Sequence, residues 1–260
     1  MEKNRLTNLE LEQILNTKLN SQAISDYAPN GLQVEGKREI RHIVTGVTAS
    51  LPLIQYAIEQ KADAILVHHG YFWKNENPCI RGMKGKRIQQ LIKNEINLFA
   101  YHLPLDIHPE LGNNAQLAQQ IGVKNLQNLE DKSLSIPIYG ELDTPISAQE
   151  LALRLEKCLR RQPILCHEFI KDFPQKPIKT VGICTGGGQN YIDLAALKGL
   201  DAFISGEISE QTTHSAREQG IYYFACGHHA TERDGVKALG EWISDHYPVT
   251  VEFMDIDNPA

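Results

Sequence analysis

Twice along this chain, short apolar runs alternate with segments of helical period, and several of the runs stop at histidine or glutamate. Residues 43–47, 64–67 and 96–101 read as strands, with helical spacing over 50–60 and 85–94 between them. The pattern returns after residue 178, with strands over 180–184, 201–205 and 221–226 and helices over 189–198 and 209–219. Such alternation calls for parallel strands joined by crossover helices. The expected fold class is therefore α/β, with central sheets flanked by helices.

Local signals frame these two blocks. Thr7-Asn-Leu-Glu10 and Ser147-Ala-Gln-Glu150 are capping boxes, followed by Leu11, Ile14, Leu15 and Leu19 and by Leu151, Leu155 and Leu159 on one helical face. Turn residues at Pro29, Asn30 and Gly31 predict a loop running into a strand. A helix over 115–121 stopped by Gly122, a helix over 232–245 and a strand over 249–253 complete the pattern. The blocks align on Asp63-Ala64 with Asp201-Ala202, and share Phe-Ala before their later histidines. Any two α/β units align to some degree, so chance similarity is the competing explanation. As diverged copies they give two lobes, 1–126 and 127–260, with the C-terminal helix free to pack back on the first, and strand ends arranged around one cleft.

Composition excludes little. The chain has 260 residues, is 42% hydrophobic and 22% charged, and carries a net charge of −6, which gives no electrostatic reason to expect nucleic acid as a partner. Cysteines at 79, 158, 166, 184 and 226 form an odd set without a C-x-x-C pair, which suggests a reducing compartment and no thiolate zinc site. The first residues, Met1-Glu-Lys-Asn-Arg-Leu, lack the apolar stretch of a secretory signal, and no run is long enough to cross a bilayer. The expectation is a cytoplasmic protein with no membrane partner.

The chemistry sits at the strand ends. Residues 64–67 lead into His68-His69-Gly70, residues 96–101 into His102-Leu-Pro-Leu-Asp106, and residues 221–226 into Gly227-His228-His-Ala-Thr-Glu232. Imidazole and carboxylate together suit borderline divalent metals. Each motif also has an ordinary structural reading. His68 and His69 can cap a strand, and neighbours on a strand point to opposite faces unless the chain turns at Gly70. Asp106 can solvate a turn, since Pro104 argues for a loop there. Glu232 can favour a helix dipole. Taken jointly, His68, His69, Asp106, His228 and Glu232 are the expected metal ligands. Five donors exceed the three protein ligands of a typical catalytic zinc, so a dinuclear site with one bridging carboxylate fits better. His102 and Glu207 are then candidates for acid–base catalysis or for orienting the imidazoles. Gly186, Gly187 and Gly188 form the one glycine-rich turn able to bring amides to a phosphate, with a plain tight turn as the alternative.

Asp26-Tyr-Ala-Pro-Asn-Gly-Leu-Gln-Val-Glu-Gly36, His68-His-Gly70, His102-Leu-Pro-Leu-Asp106, Thr185-Gly-Gly-Gly188, Ser205-Gly-Glu207 and Gly227-His-His-Ala-Thr-Glu232 occur in the order found in the YbgI family. The chain resembles these GTP cyclohydrolase 1 type 2-like proteins from about residue 7 to its C-terminus. The resemblance implies two interlinked α/β lobes, two divalent ions (zinc, iron or manganese) held by the five ligands above, and a toroidal homohexamer. It also implies opening of the GTP imidazole ring with loss of formate. A long insertion between lobes, carried by some members, is missing here. Two rival readings remain: a metal-dependent hydrolase of another nucleotide or metabolite, and a ring-forming binding or scaffold protein carrying metals.

Overall fold

A computed structural model describes residues 6–167, 173 and 175–260. Residues 1–5, which bear on the reading of the N-terminus, lie outside the described residues. The chain divides into two units, Met1–Leu111 with Gly235–Asp257, and Gly112–Asp234 with Asn258–Ala260. The division expected near residue 126 is thus drawn at Leu111, with the helix Asn113–Ile121 grouped with the strands that follow it.

The first unit is built on a five-stranded sheet in the order Thr250–Phe253, His42–Thr48, Ala64–His69, Asn97–Ala100 and Gly31–Val34. The first four strands are parallel and the last is antiparallel. Alternate residues point to opposite faces, and both faces are covered. Ile43, Leu66 and Phe99 pack with Leu11, Leu15, Leu239 and Ile243, whereas Val44, Ile65, Val67 and Leu98 pack with Leu53, Ile54 and Leu91. Burial on both sides is why these strands read as continuous apolar runs rather than alternating ones. Each fully buried leucine or isoleucine adds about 1.5–3 kcal/mol.

The first capping box forms completely. Thr7 accepts from the Glu10 amide, the Glu10 carboxylate accepts from the Thr7 amide, and the helix Asn8–Lys18 follows. Ser50 likewise caps Leu51–Glu59.

In the second unit a six-stranded sheet runs Val123–Asn128, Ile138–Ile146, Ile178–Cys184, Ala202–Ser205, Tyr222–Ala225 and Ile164–Leu165. Only the three strands from Ile178 to Ala225 are mutually parallel. Val181, Ile183, Ile204 and Phe224 face one core, and Phe203, Tyr223 and Ala225 the other. The Ser147 cap holds, but Glu150 turns its carboxylate to Arg154, at 2.6 Å.

Equivalent aspartates support the internal repeat. Asp63 accepts from the amides of Arg41 and His42, and Asp201 from those of Lys179 and Thr180, each clamping the start of its neighbouring strand. The Asp63 carbonyl accepts from Asn97 and the Asp201 carbonyl from Tyr222, so each residue ties together the three parallel strands of its own unit.

One local expectation changes. Asp106 is not in a loop but in the short helix Leu103–Ile107, because Pro104 falls in the first turn, where a missing N–H costs nothing. The helix expected over 232–245 forms as Arg233–His246, preceded by the short helix His228–Thr231, with Glu232 between them at φ −111° and ψ 9°.

Candidate metal centre

In the first unit, the strand Ala64–His69 delivers His68 fully buried and His69 half-buried. Strand alternation does not separate them, since their ring centroids lie 4.5 Å apart. Gly70 is needed for space: a Cβ there would sit 2.2 Å from the Gln33 side-chain oxygen and 2.6 Å from Ala100 Cβ.

His68 Nδ1 lies 3.0 Å from the Tyr101 carbonyl oxygen, which can only accept, so Nδ1 holds a proton and the neutral ring presents its lone pair at Nε2. That Nε2 stands 3.5 Å from an Asp106 carboxylate oxygen. His102, at the N-cap of the Asp106 helix, brings a third imidazole, and one nitrogen from each of His68, His69 and His102 lies within 4.8 Å of the other two.

Asp26 holds His102. Its carboxylate meets Nδ1 at 2.9 Å and also accepts from the Leu103 amide and the Asn30 side chain, while Asn30 accepts from the His102 amide. Burial pushes the Asp26 carboxyl up, but His102, Asn30 and the Leu103 amide outweigh it and bring it down to about 2. The sequence marks Asn30 only as a turn residue and Asp26 only as the first residue of the family motif. The signal that could have found them is the placement of two short polar side chains, each able to bind backbone amides, ahead of the His102 motif.

The second unit gathers His228, Glu232 and Glu207. His228 Nδ1 is 2.7 Å from Glu207 and Nε2 is 3.2 Å from Glu232, one helical turn further on. Burial pulls the imidazole down in pKa, but the two carboxylates prevail and raise it to about 9. Without metal it is an imidazolium between two anions.

The glycine run lies beneath this cluster. Gly186 has φ +63°, and a Cβ there would lie 2.0 Å from a Glu232 oxygen and 3.1 Å from His228 Nε2. Glycine is therefore required by conformation and by contact alike. The Gly186 amide donates to Thr231 and the Gly188 amide to Ser205, so two of the three amides considered for phosphate are already committed to hydroxyls.

The donor chemistry fits divalent cations. His68 and His228 each engage an oxygen through Nδ1, a carbonyl in one case and a carboxylate in the other, which leaves Nε2 oriented toward a cation, and Asp26 anchors His102 in the same way, leaving its Nε2 available to a cation or a proton. The sequence-nominated ligands thus assemble within their own units, His68, His69 and Asp106 in one and His228 and Glu232 in the other. Of the two candidates for supporting roles, His102 joins the first group and Glu207 braces the second.

These features define an α/β protein whose strand ends carry metal-ligand chemistry. Residues 7–259 match the Duf34/NIF3 (NGG1p interacting factor 3) model, and the chain belongs to that family. It is 69% identical over 252 residues to the GTP cyclohydrolase 1 type 2 homolog of Pasteurella multocida, covering 97% of this chain and 99% of the relative. A solved structure titled as protein ybgI, of unknown function, superposes with a TM-score of 0.92 at 54% identity, covering 98% of this chain and 100% of that one. A crystal structure from Thermus thermophilus gives 0.85 at 31% identity over the same shares. Among the described residues, no helix is long and apolar enough to cross a membrane, and the five cysteines form no disulfide.

Proposed function

We propose that this protein is a dinuclear divalent-metal hydrolase acting on a nucleotide or a related metabolite, with His68, His69, Asp106, His228 and Glu232 as ligands. The observation that carries the reading is the Nδ1 anchoring of His68 and His228, which fixes each ring with Nε2 available to a cation. Pooling the ligands rests on donor number. His228 and Glu232 alone fall short of the three protein ligands usual for a catalytic ion, whereas the five together serve two ions if one carboxylate bridges.

Bound ions of this kind polarise a substrate and make water more acidic. The protein's own part is to place and move protons. Asp26 holds the His102 Nδ1 proton, so His102 Nε2 acts as the base that takes a proton from attacking water and returns it to the departing nitrogen. Glu207 keeps His228 in its ligating orientation.

The relatives named as GTP cyclohydrolase 1 type 2 homologs make GTP the first substrate to test. Protein loaded with manganese, iron or zinc is expected to release formate from GTP, and His68→Ala or Glu232→Ala to abolish release. His102→Ala is expected to keep its metal and lose turnover. Fully loaded protein that releases nothing from GTP or from a panel of other nucleotides would overturn the hydrolase reading.

A further inference from the structure

Beside the three histidines of the first unit stands a pair of aromatic side chains that the metal chemistry does not use. Tyr27 is 51% exposed, and its ring centroid lies 4.9 Å from that of His102 in an edge-on arrangement. Trp73 lies 5.0 Å from His102, also edge-on, and 5.8 Å from His69. Between themselves the two rings are 5.8 Å apart and tilted by 35°. That gap is less than the about 7 Å, two carbon contact distances, needed to sandwich a third ring. A flat ligand therefore stacks on an outward face of the pair rather than between the two rings.

The pair is held in place by the backbone. The Lys74 amide donates to the Tyr27 carbonyl at 2.7 Å, which joins the two loops directly. Gln33 clips them a second time, accepting from the Tyr71 amide and donating to the carbonyls of Pro29 and Tyr71. Asp26, the partner of His102, also accepts from the Tyr27 amide. Phe72, immediately before Trp73, has φ +65°, a conformation that costs a bulky residue energy and persists only where its surroundings enforce it. The Tyr71 hydroxyl, donating to the Ala49 carbonyl at 2.7 Å, helps to enforce it.

An amphipathic ring pair, half in solvent and rigidly mounted against a polar cluster, is suited to binding the π face of a ligand. We propose that Tyr27 and Trp73 are specificity-determining residues, forming a stacking wall that selects substrates carrying a flat purine-type ring and lays that ring beside the histidine cluster. This rests on the proposed hydrolase reading for the site but not on its reaction.

The test uses metal-loaded protein carrying Trp242→Phe, which leaves Trp73 as the one tryptophan of the two in the chain. The probes are guanosine monophosphate and ribose 5-phosphate, which differ only in the base. Guanosine monophosphate is expected to quench Trp73 fluorescence and to bind at least tenfold more tightly than ribose 5-phosphate. In the otherwise native chain, Trp73→Ala and Tyr27→Ala are expected to weaken guanosine monophosphate binding about tenfold or more in calorimetry, with ribose 5-phosphate binding and metal content unchanged. Trp73→Phe is expected to restore binding to within about threefold, since a smaller ring still stacks.

Equal binding of the two probes, absence of quenching, unaltered affinity in both alanine variants, or loss of affinity only alongside loss of metal would each overturn the wall. A protein that binds guanosine monophosphate through Trp73 yet releases no formate from GTP would support the wall and count against the proposed reaction.

Discussion

The two units share a framework and differ at its working edge. Asp63 and Asp201 make the same backbone bonds at the start of equivalent strands, yet one strand ends in His68-His69 while the other stops at Ser205 and leads into Gly206-Glu207. Each unit buries a carboxylate, Asp106 in one and Glu232 in the other, but the first also buries His68 fully and His102 nearly so, and orients His68 by a main-chain carbonyl. The second keeps His228 half-buried and orients it with Glu207, whose side chain is 44% exposed. The difference teaches which of the two is tunable. A carbonyl brace survives any side-chain substitution at Tyr101, whereas a carboxylate brace can be weakened by changing one residue.

The largest expected effect is at the buried end. His68→Ala removes the fully buried one of the proposed ligands, so metal retention and turnover are expected to disappear together in elemental analysis and formate assays. Retention of both would break the assignment of His68 as a ligand.

Next comes the tunable brace. Glu207→Gln keeps the shape at His228 but removes the charge, and is expected to lower metal affinity about 10–100-fold, read by competition with a chelating dye. A change below about threefold would show that His228 needs no carboxylate to hold it.

The shared framework should respond alike in both units. Asp63→Ala and Asp201→Ala are each expected to cost about 1.5–3 kcal/mol, the worth of hydrogen bonds to a charged acceptor, in denaturant unfolding. A marked inequality would mean that the repeat is one of appearance only.

The last effect is in pH. Folding raises His228 to about 9, so in metal-stripped protein its contribution is complete below the unfolded value of about 6.5 and is lost as pH climbs through 9. Folding lowers Asp26 to about 2, so its contribution holds above about pH 4 and fades as pH falls towards 2. Stability of wild type minus that of His228→Asn should therefore decline on the alkaline side, and zinc, which replaces the proton, should abolish the decline. A difference that grows from pH 6.5 to 9 would reverse the sign.

How much the sequence disclosed follows from the physics of each segment. The parallel strands were legible because burial on both faces leaves unbroken apolar runs such as Ala64-Ile-Leu-Val67. The hairpin strands Val123–Asn128 and Ile138–Ile146 were not, since the first exposes five of its six residues and the second contains Pro145. Pro104 misled because its rule depends on position, forbidding a helix interior while suiting a first turn. The ligand motifs stood out as a histidine paired with a carboxylate. Asp26 did not, because its role depends on His102 far along the chain, and turn-type residues near Pro29 invite a purely local explanation.

Metal stoichiometry tests the central claim most directly. Protein stripped with a chelator, reloaded with zinc or manganese and dialysed should hold two ions per chain by elemental analysis, and both His68→Ala and Glu232→Ala, folded by circular dichroism, should fall well below that value. Folded wild-type protein that holds none, or a stoichiometry untouched by either substitution, would contradict it.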